Sequence, residues 1–216
     1  FFPRVIPVLL LKNNGLVKTK KFNKSKYIGD PINAVRIFNE KEVDEIVFLD
    51  IQASKNKQSP DYEMIKKIAS ECFMPLAYGG GITKLNQVEK ILNIGVEKIV
   101  INSSSLSNPD LIGEIAKVIG SQSVVISLDV KKNLYGNYGI FSHTNQKIPN
   151  ISLKNYLRKL EEYGAGEIII NSVDKDGMME GYDIKLLNLV KETVRVPFIA
   201  CGGAGNIDDL KDGINI

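Results

Sequence analysis

The feature that most constrains this chain is that it repeats itself. The segment Asp44–Ser54 (DEIVFLDIQAS) returns 122 residues later as Gly166–Asp176 (GEIIINSVDKD). PLAYGGG from Pro75 returns at the same spacing as PFIACGG from Pro197, and LLLK from Leu9 has a counterpart 119 residues on in LDVK from Leu128. A chain of two similar halves calls for a fold that can be built from two copies of one unit. The repeated pieces are short apolar runs, with longer amphipathic stretches between them. Strands are predicted at 4–11, 45–50, 75–78, 98–102, 124–129, 167–171 and 197–201, and helices at 31–39, 61–71, 84–93, 108–119, 152–163, 183–192 and 206–213. Most strand runs are continuous Val, Ile and Leu, as expected when both faces of a sheet are covered. Asp30-Pro31 and Asn108-Pro109 set a capping residue beside a proline at helix starts.

Strictly alternating strands and helices imply parallel strands with crossover helices. A doubly wound sheet satisfies the alternation but has no reason to repeat at this interval. Two halves of about four βα units each sum to a closed eight-unit barrel. The predicted fold is therefore α/β, a (β/α)8 TIM barrel with a two-fold internal repeat, residues 1–216 forming one domain. Seven units are visible. Closure requires an eighth of roughly 30 residues beyond them, because an open barrel leaves bare edges between strands 7 and 1. With no initiator Met, the chain is expected to be part of a longer product.

Composition removes several function classes. A net charge of +3 in mixed-sign surface runs is too balanced for nucleic acid. The basic cluster Lys18–Lys26 (KTKKFNKSK) reads either as a phosphate-attracting loop or as a solvated one. Cys72 and Cys201 lie far apart, His143 is the single histidine, and no metal-ligand spacing occurs, so neither a metal nor a cofactor is expected. No apolar run is long enough for a membrane span and no signal peptide opens the chain, which predicts a cytoplasmic protein.

In such barrels the chemistry gathers at the C-terminal ends of the strands. Gly79-Gly80-Gly81 follows the third strand and Gly202-Gly203 the seventh. Glycine turns let backbone N–H groups approach an anion closely, and two clusters related by the repeat suit a substrate with a phosphate at each end. Asn102 and Ser103 at the fourth strand, and Ser172 at the sixth, either complete those cradles or cap helices. Asp50 and Asp129 finish apolar strands, where a buried carboxylate is costly without a role; Asp129 is the better general acid/base candidate. Asp174 and Asp176 are substrate contacts or turn formers with equal claim. His143 falls in a predicted hairpin after the fifth strand, where a surface role is expected. Arg4, Glu45, Lys98 and Glu167 stand at strand starts, and four charges of mixed sign there either face solvent or form a polar ring around the barrel axis.

These residues, taken together, resemble a known family. RVIP from Arg4, FLDIQAS from Phe48, YGGGI from Tyr78, VINS from Val100, GAGEI from Gly164, DKDG from Asp174, GYD from Gly181 and CGGAGN from Cys201 are similar, in order and along the whole chain, to HisF, the synthase subunit of imidazole glycerol phosphate synthase. The resemblance implies a (β/α)8 barrel that receives ammonia from a HisH-type glutaminase. Ammonia would pass a salt-bridge gate corresponding to Arg4, Glu45, Lys98 and Glu167 and attack a phosphorylated substrate at the far end. Lys18, Asp50, Gly80, Gly81, Asn102, Ser103, Ser172, Asp176, Gly177, Gly202 and Gly203 then match substrate- and phosphate-binding positions. Of the family's two catalytic aspartates, Asp129 is one; the other position is Leu10, and the internal repeat independently pairs Leu10 with Asp129. Gln52 and Met178 stand where threonines are usual. A kept gate with a damaged cyclisation site resembles the HisF-like WbuZ-type paralogues of surface-polysaccharide clusters. Those are thought to act with a HisH-like glutaminase and an N-acetyl sugar amidotransferase. The alternatives are a working histidine-pathway cyclase and a non-catalytic scaffold that activates the glutaminase.

Overall fold

The computed structural model describes residues 3–142 and 151–216. They fall into two compact units: one runs up to Lys18 and resumes over Lys26–Ile101, and the other takes Thr19–Ser25 and the described residues from Asn102 to Ile216.

The first unit opens with β1 (Val8–Lys12), which turns through Asn13 and Asn14 into the antiparallel β2 (Gly15–Lys20). Both turn residues have positive φ, which asparagine tolerates better than most residues. After β3 (Asn23–Gly29) the chain alternates through α1 (Pro31–Glu40), β4 (Ile46–Asp50), α2 (Tyr62–Glu71), β5 (Leu76–Gly79), α3 (Leu85–Asn93) and β6 (Lys98–Ile101). Strands β1, β4, β5 and β6 pair in parallel in that order. The helices begin where side chains can cap them: Asp30 accepts from the N–H groups of Ile32 and Asn33, and Asp61 from that of Met64.

Register assigns the faces. Leu10 is opposite Leu49, and Leu49 opposite Gly79, so these three share one face with Val8, Val47 and Ala77. Leu9, Phe48 and Tyr78 align on the other face, with Leu11 and Asp50 one step further along it. Phe48 and Val47 are both fully buried although they point opposite ways, which is why the run is continuous rather than alternating.

The second unit contains α4 (Ser103–Ser107), α5 (Asp110–Ile119), β7 (Val124–Lys132), β8 (Tyr138–Ile140), α6 (Leu153–Tyr163), β9 (Glu167–Ser172), α7 (Ile184–Lys191), β10 (Phe198–Cys201) and α8 (Ile207–Ile214). Strands β7, β9 and β10 are parallel, and β8 folds back antiparallel on β7.

Seven strand-then-helix steps follow the order read from the sequence, with local differences. The first strand begins at Val8 rather than Arg4, since Pro3 and Pro7 cannot donate to a ladder. The basic cluster is a β-hairpin whose lysines 18, 20, 21, 24 and 26 are exposed, turning at Lys21 and Phe22 with positive φ and no glycine to announce it. Ser103 opens a short helix instead of trailing a strand. The fifth strand, β7, itself turns back into β8 over 133–137; residues 143–149 of the stretch expected as an inserted hairpin at 136–149, His143 included, lie outside the described residues.

Candidate functional site

Asp129 ends the apolar part of β7 and is 4% exposed. A carboxylate there has left water, and the fold supplies partial replacement. The Asn102 side chain, just ahead of α4, donates from Nδ2 to Asp129 Oδ2 at 2.8 Å rather than capping the helix. Asn171 is the register partner of Asp129 on β9. Burial pushes the Asp129 carboxyl up to about 7; the Asn102 amide opposes this, the nearby Asp176 charge adds to it, and the Asn171 amide again opposes. A carboxyl that exchanges its proton near neutrality suits general acid/base work. Asp183, also buried, behaves oppositely. Burial alone would raise it, but Lys132 Nζ at 2.8 Å and the Tyr138 hydroxyl at 2.7 Å hold it below the usual carboxylate range, so it is a brace between β7, β8 and α7.

The loop after β9 serves two carboxylates differently. Asp174 accepts the Lys132 backbone N–H at 2.9 Å, which ties this loop to the end of β7. Asp176 Oδ2 accepts the Thr19 hydroxyl at 2.7 Å and the Phe22 N–H at 3.2 Å, so it clamps the tip of the β2–β3 hairpin. Gly177 has φ +66, and a β-carbon there would collide with the Thr19 carbonyl oxygen, which explains the glycine by close backbone approach. Cys201, which offers no metal-ligand spacing in the sequence, stands at the end of β10. Burial, with the charges of Asp176 and Asp129, raises its thiol to about 12, so it stays protonated beside the strand-end carboxylates. Asn171 Oδ1 is buried with no hydrogen-bond partner among the described residues, an acceptor at this strand end. Ser172 is buried on β9; Gly202 and Gly203 follow β10. A β-carbon on Gly202 would sit 2.9 Å from Asn171 Oδ1.

In the first unit the corresponding strand end is apolar. Leu10 sits among Leu49, Val17 and Gly79 by register. Asp50, on the opposite face, uses Oδ1 to hold the N–H groups of Gln52 and Ala53 at 2.9 and 3.1 Å. Gly80 packs directly on it, since a β-carbon there would stand 2.7 Å from that of Asp50. The Gly81 N–H donates to Ser54 Oγ at 3.3 Å. Gln52 accepts the Asn13 N–H at 2.9 Å, pinning the β1–β2 turn. Lys18 is exposed on β2.

At the strand starts of the same unit, Glu45 is 3% exposed and its Oε2 receives both Arg4 Nη1 and Lys98 Nζ at 2.7 Å. Alternation places Glu45 two residues before Val47 and pairs Lys98 with Ala77, which puts this cluster on the Leu10 face. Two cations on one oxygen are what lets the carboxylate stay buried. Arg4, Glu45 and Lys98 therefore meet, three of the strand-start charges. The fourth, Glu167, belongs to the second unit, is buried at the first position of β9, and shares its strand face with Asn171. Among the described residues no cluster of His, Cys, Asp or Glu is placed to hold a metal ion, and no helix is long and apolar enough to cross a membrane.

Parallel strands each followed by a helix, with a buried titratable carboxylate at one strand end and glycine turns at two others, define a protein of the (β/α)8-barrel class. The chain belongs to the family described as "Histidine biosynthesis protein", a TIM-barrel family, which matches residues 4–215. It is 53% identical over 209 residues, covering 97% of this chain and 83% of the relative, to a Pseudomonas aeruginosa protein named "Putative imidazole glycerol phosphate synthase subunit hisF2". It is 50% identical over 210 residues to a Leptospira interrogans protein and 48% identical over 211 residues to a Leptospira borgpetersenii protein, both named "Putative imidazole glycerol phosphate synthase subunit HisF". Each match again covers 97% of this chain and 83% of the relative. The chain is thus HisF-like along nearly its whole length.

Proposed function

We propose that this chain is a HisF-type synthase subunit that takes ammonia from a HisH-type glutaminase, conducts it along a barrel axis and delivers it to a phosphate-binding site at the strand ends. The observation that carries this reading is the buried Glu45 carboxylate held by Arg4 and Lys98 at the strand starts. A buried ionic cluster is a weak way to stabilise a fold, because desolvation offsets most of the attraction. A gate for a small polar molecule gives it a purpose. With Leu10 where the family carries an aspartate, the acceptor we favour is not an imidazole ring being closed. It is an acetamido group on a sugar, amidinated with an N-acetyl sugar amidotransferase as the further partner. Asp129 then acts as the strand-end proton donor or acceptor, with Lys18, Asp50, Gly80, Gly81, Asn102, Ser103, Ser172, Asp176, Gly177, Gly202 and Gly203 binding phosphate or substrate.

The test separates ammonia delivery from ammonia use. The subunit is combined with a HisH-type glutaminase and an amidotransferase, and product is measured with glutamine or with free ammonium. Glu45→Gln should lower the glutamine-driven output by roughly tenfold, a hydrogen-bonded charge's worth, and leave the ammonium-driven output unchanged. Equal loss in both, or in neither, overturns the gate. A second reading, the histidine-pathway cyclase, is favoured by the retained and protonatable Asp129. Complementation of a cyclase-deficient histidine auxotroph would support it.

A further inference from the structure

Asn102 does something its place in the chain does not require. It stands where α4 begins, the usual position for a capping side chain, yet it makes no cap and turns its amide to Asp129 Oδ2 at 2.8 Å. Its backbone, at φ −120 and ψ −88, belongs to neither β6 nor α4, so neither element sets the direction of its side chain. Other contacts must hold it.

In the second unit a series of buried hydroxyls ends on this residue. The Asn102 carbonyl accepts twice from Ser105, from the backbone N–H at 3.0 Å and from Oγ at 2.6 Å. The Ser105 hydroxyl in turn accepts from the Tyr156 hydroxyl at 3.2 Å, a contact between α4 and the first turn of α6 across 51 residues of sequence. Ser105 is 1% exposed and Tyr156 3%. Burying a hydroxyl costs free energy that its hydrogen bonds only offset. Alanine is a better helix former than serine, and phenylalanine fills nearly the same space as tyrosine, so packing alone asks for neither hydroxyl. Tyr156 satisfies Ser105, and Ser105 donates to one group, the Asn102 carbonyl. A hydroxyl that accepts while it donates is polarised, so Tyr156 strengthens the bond that Ser105 makes.

We propose that Tyr156 and Ser105 are positioning residues, whose hydroxyls in series hold the Asn102 backbone so that its side-chain amide stays aimed at Asp129 Oδ2. The purpose of this device rests on the reading of Asp129 as the strand-end proton donor or acceptor; its geometry does not. An amide donor favours the charged carboxylate. Loosening Asn102 therefore makes Asp129 keep its proton to higher pH. The titratable groups near Asp129 are Asp176, on the loop after β9, and the Cys201 thiol, at the end of β10, while β9 presents the Asn171 amide. Of the groups around the carboxyl, Asn102 is the one bonded to Ser105.

Carboxyl-carbon NMR on the full chain, with no glutaminase, ammonia or sugar present, follows Asp129 through its titration. Ser105→Ala should raise the titration midpoint by about half a pH unit, and Tyr156→Phe by roughly half as much, since the Ser105–Asn102 bond remains. In an Asn102→Ala background Ser105→Ala should add nothing, because the group it acts through has gone. Leu160→Val, a change at a fully buried position on the same helix as Tyr156, should lower the thermal midpoint by a few degrees and leave the Asp129 titration where it was. The proposal is overturned if neither hydroxyl variant moves the titration, if Leu160→Val moves it as far as they do, or if Ser105→Ala keeps its full shift without the Asn102 amide. A failure here leaves the ammonia gate standing, and a failed gate leaves this titration unchanged.

Discussion

The end of β1 and the end of β7 occupy equivalent places in the two halves of the repeat, and they differ in kind. At β7 the register pair is Asp129 with Asn171; at β1 it is Leu10 with Leu49. The same 122-residue offset that aligns the strands aligns Asn171 with Leu49. Leu10 is thus not an isolated apolar residue beside a polar partner. One half pairs a carboxylate with an amide, and the other pairs two leucines. A carboxylate can be buried only where donors replace water, and of these two strand ends only that of β7 has an amide as its register partner.

The comparison can be broken most forcefully by exchanging its apolar member. Leu10→Asp would set a carboxylate beside Leu49 with no amide to receive it, and should cost about 3 kcal/mol of unfolding free energy at pH 8. The cost should shrink toward pH 5, where the new group is protonated. Adding Leu49→Asn should return about 1 kcal/mol. Chemical denaturation at both pH values measures each step, and a full loss of pH dependence in Leu10→Asp would show that the site is wetter than its leucines imply.

Asp129→Asn should work in the other direction. The folded carboxyl titrates near 7, above the ordinary carboxylate value of 3.8. The folded state therefore binds more protons than the unfolded chain between those limits, and wild-type stability falls as pH rises from about 4 to about 7. The asparagine variant lacks this penalty. It should gain about 2 kcal/mol on the wild type between pH 5 and pH 8, while losing whatever proton transfer the strand end performs. Denaturation curves at the two pH values test the first claim, and product formation with free ammonium the second.

The smallest effect is the finest probe. Asn102→Ala removes the donor on Asp129 Oδ2 and should move the carboxyl titration further upward, by an amount equivalent to about 1 kcal/mol. Carboxyl-carbon NMR would follow it. An unmoved titration would transfer the tuning to Asn171.

The βα alternation, the internal repeat and the positions of Asp129, Leu10 and the strand-start charges were legible because each is a local pattern: apolar runs of strand length, glycine turns and charges at strand boundaries. The β2–β3 hairpin was not legible, since Lys21 and Phe22 turn the chain without glycine or proline and the segment reads only as basic. The roles of Asp174 and Asp176 stayed open for a related reason. Their partners, Lys132, Thr19 and Phe22, are far away in sequence, and only folding brings them within hydrogen-bond reach.

By itself the sequence determined the order of elements, the two-fold repeat and the identity of the residue at each strand end, since period and spacing are properties of the chain alone. Only the tertiary structure decided that Arg4 and Lys98 converge on one buried oxygen of Glu45. It also decided that Asn102 turns away from its helix to meet Asp129 and that Asp176 clamps the tip of the β2–β3 hairpin. Register and burial set those outcomes, and both depend on which distant strands come to lie side by side.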